Sequence, residues 1–265
     1  MPEYVLEISE GEIARYRMMA EHAISDEADL LAKAGITEGA TVADIGCGPA
    51  AISVALARLV GESGRVIGVE RDGPSRQAAA QVVAAAGVDN VEIREGEAAA
   101  TGLEPGSVDA VVMRHVLAHN GGSEAAIVEH LAQLVRPGGS VYLVDVDLRA
   151  MRVLDNDPDV DELVARYPDF HATLGNDPLI GLRLASLLRG AGLVVSEFVG
   201  RYNIVAPPPG VRPPPWTARE QMLAAGLIDQ GLVDRCEAAF ERLDARAERP
   251  TLFAPNFIAI GRREA

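Results

Sequence analysis

The sequence predicts an α/β protein built around a parallel sheet. Apolar runs of strand length alternate with helix-length segments, which is the pattern of repeated strand–helix–strand units. The helix-length segments are rich in Ala, Leu and Val and are each followed by Gly or Pro, as helix ends usually are. A chain of 265 residues is long enough to bury one sizeable core. We therefore expect one main domain.

Seven apolar runs are predicted as strands because each has strand length and adjoins a helical segment or a turn. In chain order they are TVADIG (41–46), RVIGVE (65–70), VEIRE (91–95), VDAVVM (108–113), SVYLVDV (140–146), LVVSEFVG (193–200) and TLFAPNFIAIGRR (251–263). Helices are predicted from about Ser9 to Ala34 and at 50–61, 75–87, 123–135 and 177–192. Those that separate consecutive strands are crossover helices.

Two segments interrupt the alternation of strands and helices. Residues 148–176 are acidic and contain Pro158 and Pro168, and APPPGVRPPP (206–215) is a run of prolines that cannot join a central strand. Both segments suit a lid. We predict an N-terminal helical cap (1–40) and a main domain (41–265), with lid inserts at about 148–176 and 205–250.

Composition and charge restrict the partners. The chain has 24 basic and 39 acidic residues, for a net charge of −15, which would repel a phosphate backbone and disfavours nucleic acid. We find no stretch apolar enough to span a membrane and no secretory signal. Cys47 and Cys236 lie too far apart in sequence for a disulfide framework or zinc motif, which fits a reducing, cytoplasmic setting. We expect a small-molecule partner and leave the oligomeric state open, a homodimer included.

A glycine loop after the first strand predicts close contact with a ligand. In DIGCGPA (44–50), Gly46 and Gly48 lack Cβ atoms, so the backbone at this sheet edge can lie against a bound molecule. Glu70, which ends the second strand, can accept hydrogen bonds from the two hydroxyl groups of a ribose. Glu97 and the Ala98 amide can bracket an adenine edge. A purely structural turn and solvated strand-end acids remain the alternatives.

Four stretches carry a resemblance to a known family. VADIGCGPA (42–50), VIGVERD (66–72), EGEAAATGLEPGSVDAVVMRHVL (95–117) and LVRPGGSVYLVD (134–145) resemble, in order, the motifs of class I S-adenosylmethionine-dependent methyltransferases that act on small molecules. The resemblance implies a Rossmann-like fold, with a seven-stranded, mostly parallel sheet, flanking helices and a small helical lid. It also implies S-adenosylmethionine as the cofactor.

The resemblance implies a set of cofactor-binding residues around the glycine loop, the strand ends and the N-terminal cap. They are Asp44, Gly46, Cys47, Gly48, Glu70, Arg71, Glu97, Ala98, Arg114, His115, Tyr16 and Met18. Ala50 stands where the family often has a third glycine and leaves slightly less room at the helix start. The short acid Asp44 suits an ammonium-bearing ligand, whereas a dinucleotide site would present a helix N-terminus to pyrophosphate. NAD is therefore the weaker interpretation.

Two histidines are the candidate catalytic residues. His115 and His119 are four residues apart, so they share a face if the segment is helical, and imidazole suits a general base for a hydroxyl or amine. The alternative is that His115 packs against the cofactor and His119 caps a turn. His171 in the lid is a third candidate. We predict no metal, because Arg114 stands where metal-dependent relatives need an acid, although Asp145 and Asp147 share a strand face.

These observations favour methyl transfer to the O, N or C atom of a small organic molecule, in specialised metabolism. One alternative is a protein of the same fold that binds the cofactor and catalyses a rearrangement or cyclisation. Another is a binding module without catalysis. Tyr167, Phe170 and Trp216 of the lid are expected to supply apolar walls for the substrate.

Overall fold

The structure is a computed structural model that describes Ala20 and residues 23–265. The predicted N-terminal helix therefore begins outside the described residues. Its described part is helical at 23–26, bends at Glu27 and resumes as α1, Ala28–Lys33. No helix in the described part of the chain is both long enough and apolar enough to cross a bilayer.

The sheet has eight strands among the described residues, and all seven predicted strands are present. In chain order they are β1 (Thr41–Ile45), β2 (Arg65–Glu70), β3 (Val91–Glu95), β4 (Val108–Arg114), β5 (Val135–Val146), β6 (Arg152–Leu154), β7 (Val194–Val205) and β8 (Thr251–Arg262). The additional strand is β6, which has only three residues. The sheet is mixed and mostly parallel, as the fold class predicts.

The order of the strands is β3-β2-β1-β4-β5-β8, and β7 pairs with the far side of β8. Strands β1 to β5 are parallel, whereas β8 is antiparallel to β5, β6 and β7. Residues 256–262 of β8 pair with β5, and residues 251–253 pair with β6 on the same side. The long strand β8 therefore runs from the main sheet, beside β5, to the region beyond the carboxyl edge of the parallel strands.

Helices cover both faces of the sheet and also form the lid. They are α1, α2 (Ala51–Val60), α3 (Gly73–Ala86), α4 (Glu124–Leu134), α5 (Pro158–Thr173), α6 (Ile180–Gly190), α7 (Pro214–Thr217), α8 (Arg219–Ala224) and α9 (Gln230–Asp244), with a short 3₁₀ helix at Leu117–His119. Apolar residues of α4 and α6 form one core against the sheet. Those of α1 and α2 form a second core on its other face. The sheet is thus packed between helices on both of its faces.

The lid has an apolar core of its own, formed by α5 and the segment from α7 to α9. Pro158 occupies the first turn of α5, where its missing amide hydrogen costs nothing, and Pro168 lies inside the helix. The lid is tied to the main domain at its base, because the Gly121 amide donates to Asn176 Oδ1 over 3.0 Å. Both regions that interrupt the alternation therefore belong to one structure above the sheet.

Candidate active site

The glycine loop leaves β1 at the carboxyl edge of the sheet. Gly46 and Gly48 have φ angles of +72° and +52°, in the left-handed region that favours glycine. A Cβ at Gly46 would lie 2.5 Å from Val116 Cγ2, whereas a Cβ at Gly48 would meet no protein atom within 4 Å. Ala50 has φ +60° and immediately precedes α2. The loop is therefore shaped so that Gly48 leaves open space in the cavity.

Asp44, the penultimate residue of β1, is a buried acid beneath this loop. Its Oδ2 accepts a 2.6 Å hydrogen bond from the Ser53 hydroxyl at the start of α2. Burial raises the pKa of Asp44 to about 6, although the Ser53 hydrogen bond and the nearby Arg114 charge oppose the shift. A cation bound beside Asp44 would favour its ionised form. Burial and neighbouring acids also raise the pKa of the Cys47 thiol, so Cys47 is an uncharged wall of the site.

Glu70 links the end of β2 to the glycine loop. Its Oε2 accepts from the Gly48 amide over 3.0 Å, and its Oε1 accepts from the Asp72 amide over 2.9 Å. Each carboxylate oxygen has more than one acceptor site, so Glu70 can still accept hydrogen bonds from a ligand. Asp72 in turn caps α3. The two neighbouring strand ends are thereby fixed to each other.

A buried ion pair lies at the end of β4. The Arg114 guanidinium donates to both carboxylate oxygens of Glu27, over 2.6 and 3.0 Å, and the Tyr142 hydroxyl donates to Glu27 over 2.6 Å. Glu27 comes from the N-terminal cap and Tyr142 from β5. Arg114 was identified from the sequence, but its partner Glu27 and the Tyr142 that donates to Glu27 were not. No sequence motif indicates that Arg114 and Glu27, which are 87 residues apart, form an ion pair.

Three histidines lie close to the end of β4, two of them on the segment that follows this strand and one on the lid helix α5. His115 directly follows β4 with φ +54°, an uncommon conformation for a residue with a side chain. His119 lies on the 3₁₀ helix, with its ring centroid 5.1 Å from that of His171 on α5. Burial and the neighbouring His171 lower the pKa of His119 to about 4, and burial lowers that of His171. Both rings are therefore neutral near pH 7 and can accept a proton.

The shorter of two polar contacts at His171 Nδ1 favours one tautomer of the ring, since the amide nitrogen of Asn176 is farther away, at 3.4 Å. This Nδ1 lies 3.1 Å from the carbonyl oxygen of Ala118, which can only accept, so Nδ1 carries the hydrogen. The edge of the ring also meets Tyr167, with centroids 4.6 Å apart. The remaining nitrogen, Nε2, is then the acceptor of a neutral imidazole. The lid therefore contributes a potential proton acceptor to the cavity.

Asp145 on β5 supports the 3₁₀ helix that carries His119. Its Oδ2 accepts from the Ala118 amide over 3.1 Å and its Oδ1 from the Val146 amide over 3.0 Å. Asp147 accepts instead from the Arg149 and Ala150 amides. Among the described residues, no group of three or more His, Cys, Asp or Glu side chains is arranged to hold a metal. Asp145 and Asp147 thus both accept hydrogen bonds from backbone amides and hold the local backbone in place.

Asp145→Asn should change how stability depends on pH. Burial raises the pKa of Asp145 from 3.8 to about 7, so between these values the native state binds a proton more tightly than the unfolded chain. Protonation of Asp145 stabilises the native state, and this contribution to the free energy of unfolding is complete below pH 4 and is lost as the pH rises to 7. Wild type should therefore gain roughly 4 kcal/mol relative to Asp145→Asn between pH 7.5 and pH 4. Urea unfolding across this range measures the difference, and a difference that is constant with pH would contradict the prediction.

One continuous cavity of about 390 Å³ joins the strand ends to the lid. On the side of the glycine loop it is lined by polar groups and backbone, including Asp44, Glu70 and Arg71. On the lid side the walls are mainly apolar. They include Leu148, Met151, Val153, Val160, Val164, Tyr167, Val205, Val211, Phe240, Leu243, Leu252 and Ala254. The size and the mixture of walls are typical of a site for small organic ligands.

Of the three lid aromatics that were expected to line the cavity, only one does so. Tyr167 lines the cavity as predicted, but Phe170 and Trp216 do not and instead pack in the core of the lid. Phe240 on α9 lines the cavity, and sequence reasoning missed it. Its ring is covered by the Arg212 guanidinium, 4.6 Å from the ring centroid. Apolar residues of a lid face either its own core or the ligand, and the sequence alone does not separate the two faces.

The structure brings together most of the residues predicted to bind the cofactor. The cavity is lined by Asp44, Gly46, Cys47, Gly48, Glu70, Arg71, Ala98, Arg114 and His115, and also by His119. Glu97 is exposed and does not line the cavity, whereas its neighbours Gly96 and Ala98 do. Tyr16 and Met18 lie outside the described residues. Of the residues predicted to bind the cofactor that lie in the described part of the chain, Glu97 is thus the one that does not line the cavity.

Comparison with known proteins agrees with the resemblance seen in the motifs. Residues 42–139 match the family model described as "Methyltransferase domain". Nocamycin O-methyltransferase from Saccharothrix syringae is 30% identical over 183 residues, which are 64% of this chain and 65% of the relative. An uncharacterized 37.1 kDa protein of transposon TN4556 from Streptomyces fradiae is 30% identical over 171 residues, 61% of this chain and 45% of the relative. The chain thus spans about half to two thirds of these relatives.

The fold also matches solved structures. A SAM-dependent methyltransferase from Aquifex aeolicus superposes with a TM-score of 0.53 at 21% identity, over 70% of this chain and 90% of the other. At this identity the likeness concerns the fold. It supports the Rossmann-like fold class that the sequence predicts.

Proposed function

We propose that the chain is a class I S-adenosylmethionine-dependent methyltransferase that methylates a small organic molecule. The match of residues 42–139 to the methyltransferase domain model supports the proposal. The observation that carries the proposal is the continuous cavity, in which the glycine loop and an apolar chamber meet above the end of β4. A methyl donor held at the loop would face an acceptor held under the lid. Approximation of the two reactants is the main contribution that an enzyme makes to such a displacement.

The residues at the loop fit the methyl donor. The backbone at Gly48 leaves a cradle that a side chain would fill, since a Cβ there would meet no protein atom within 4 Å. Asp44 would pair with the amino group of the methionine portion, and Glu70 would accept hydrogen bonds from the ribose. Ala98, on the side of β3, would adjoin the adenine. When bound, S-adenosylmethionine supplies an electrophilic methyl group and leaves as a neutral thioether.

The acceptor loses a proton when the new bond forms, and a neutral histidine would take that proton. His119 and His171 are both neutral near pH 7, lie side by side and line the cavity. His115, also on the cavity wall, is the remaining candidate. A hydroxyl is the favoured acceptor, because one relative is named as an O-methyltransferase. The apolar chamber suits a largely apolar molecule, such as those of specialised metabolism.

Calorimetry followed by a product assay tests the proposal. The protein should bind S-adenosylmethionine and S-adenosylhomocysteine, and incubation with a panel of apolar hydroxylated acceptors should yield S-adenosylhomocysteine together with an acceptor that is one methylene heavier. Cofactor-dependent conversion of an acceptor without S-adenosylhomocysteine would favour rearrangement or cyclisation over methyl transfer. Failure to bind either compound would overturn the proposal.

A further inference from the structure

The ion pair between Arg114 and Glu27 is buried where the two halves of the cavity meet. The two side chains are only 12% and 8% exposed. In the sheet, β4 lies between β1, which leads to the glycine loop, and β5, which leads to the lid. Arg114 is the last residue of β4 and lines the cavity. A group that passes from the loop side to the lid side therefore crosses the end of β4, beside Arg114.

The charge of Arg114 opposes the ligand expected there. The methyl donor carries a positive sulfonium, and two like charges several ångströms apart in a partly buried site repel each other appreciably. Arg71 adds a second positive charge on the cavity wall, while Asp44, Glu70 and Asp145 contribute acids. Among the described residues, none of these three acids forms an ion pair with Arg114; the carboxylate that accepts from its guanidinium at both oxygens is Glu27.

We propose that Glu27 is a positioning residue that neutralises Arg114, so that the junction of the cavity accepts a cationic methyl donor. This inference rests on the proposed function. The Tyr142 hydroxyl on β5 donates to the Glu27 carboxylate and holds it in place. The chain bends at Glu27, which allows the N-terminal cap to place this carboxylate beside Arg114. The cap thus contributes to the electrostatics of the site through a residue that does not itself line the cavity.

Glu27→Gln tests the inference because it removes one charge and almost no volume. A Gln side chain keeps a carbonyl oxygen that can accept from Tyr142 or Arg114. S-adenosylmethionine and S-adenosylhomocysteine differ at the sulfur by a methyl group and one positive charge. We expect the ratio of their Kd values, measured by calorimetry, to shift by about tenfold against S-adenosylmethionine. If the role of Glu27 were purely structural, Glu27→Gln would weaken the binding of both ligands equally.

Three further variants complete the test. Arg114→Met leaves Glu27 unneutralised and should shift the ratio in the opposite direction, so the inference stays testable even if Glu27→Gln folds poorly. The double variant Glu27→Gln/Arg114→Met should return the ratio to the wild-type value. Asp29→Asn is the matched control: Asp29 lies on the neighbouring helix α1, is 61% exposed and pairs with Arg201 over 3.4 Å. It removes the same charge from the surface and should leave the ratio unchanged.

The outcomes separate this inference from the proposed function. If wild type binds neither ligand, the proposed function fails. If wild type binds both ligands and the ratio does not move in Glu27→Gln or in Arg114→Met, the role of Glu27 is refuted while the proposed function stands. An equal loss of affinity for both ligands in Glu27→Gln would likewise refute it.

Discussion

Gly48→Ala is expected to weaken the binding of S-adenosylmethionine by about tenfold to a hundredfold while the protein stays folded. A Cβ at Gly48 would meet no protein atom within 4 Å, so the added methyl group occupies cavity space and displaces no side chain. The substitution also places Ala at φ +52°, which costs about 1–2 kcal/mol of stability. Ala50 shows that this loop already accommodates one alanine at positive φ. Calorimetry measures the affinity.

Gly87→Ala is the matched control for this substitution. Gly87 follows α3 with φ +62°, and a Cβ there would also meet no protein atom within 4 Å, but Gly87 does not line the cavity. The two variants should lose similar stability, and only Gly48→Ala should lose affinity. Equal affinities would refute the assignment of the loop. Gly46→Val is a less informative test, because its Cβ would collide with Val116 within the protein itself.

His119→Gln is expected to lower kcat by about 10²- to 10⁴-fold and to leave the affinity for S-adenosylmethionine close to that of wild type. His119 lines the cavity, lies against His171 and is held by a turn that Asp145 fixes. Glutamine preserves polarity and much of the volume but cannot take up the proton. A change in kcat of less than about threefold would show that the proton goes elsewhere, and His171→Gln would then be expected to have the large effect.

The pH dependence of kcat is a second readout for the same residue. A general base must be unprotonated, and the pKa of His119 is lowered to about 4 by burial and by His171. The rate should therefore be constant from pH 8 down to about pH 5 and should fall only below that, well under the pH at which an ordinary histidine gains its proton. A fall centred near pH 6.5 would contradict the assignment of His119.

The strands and the glycine loop could be predicted because their signals are local. Short apolar runs such as 41–46 and 108–113 are followed by turn residues, and glycines at the end of a strand indicate close approach of a ligand. The short strand β6 was missed because its three residues acquire strand pairing only through β8. The helix α5 was obscured by Pro168, which lies within it. Tertiary contacts override the local tendency in both cases.

The polar contacts of the site were harder to predict from the sequence. Glu27, Arg114 and Tyr142 lie on three elements that are distant in the chain, and only the folded sheet brings them together. The histidines show the same limit: the sequence groups His115 with His119 by spacing, whereas the structure pairs His119 with His171 on the lid. Glu97 was placed at the adenine side by its position after β3, but its side chain is exposed and Glu97 takes part in an isolated backbone bridge with Ala100.

The strand β8 limits how the acceptor specificity can be re-engineered. Its first residues pair with β6 and β7 beneath the lid, and its last residues pair with β5 and β7 in the main sheet. A graft of the segment at 148–176 from a relative would therefore replace β6 and change the hydrogen-bonding partner of β8. Chimeras designed to accept other molecules should exchange β6 and residues 251–255 together, so that the strand register is transplanted with the lid.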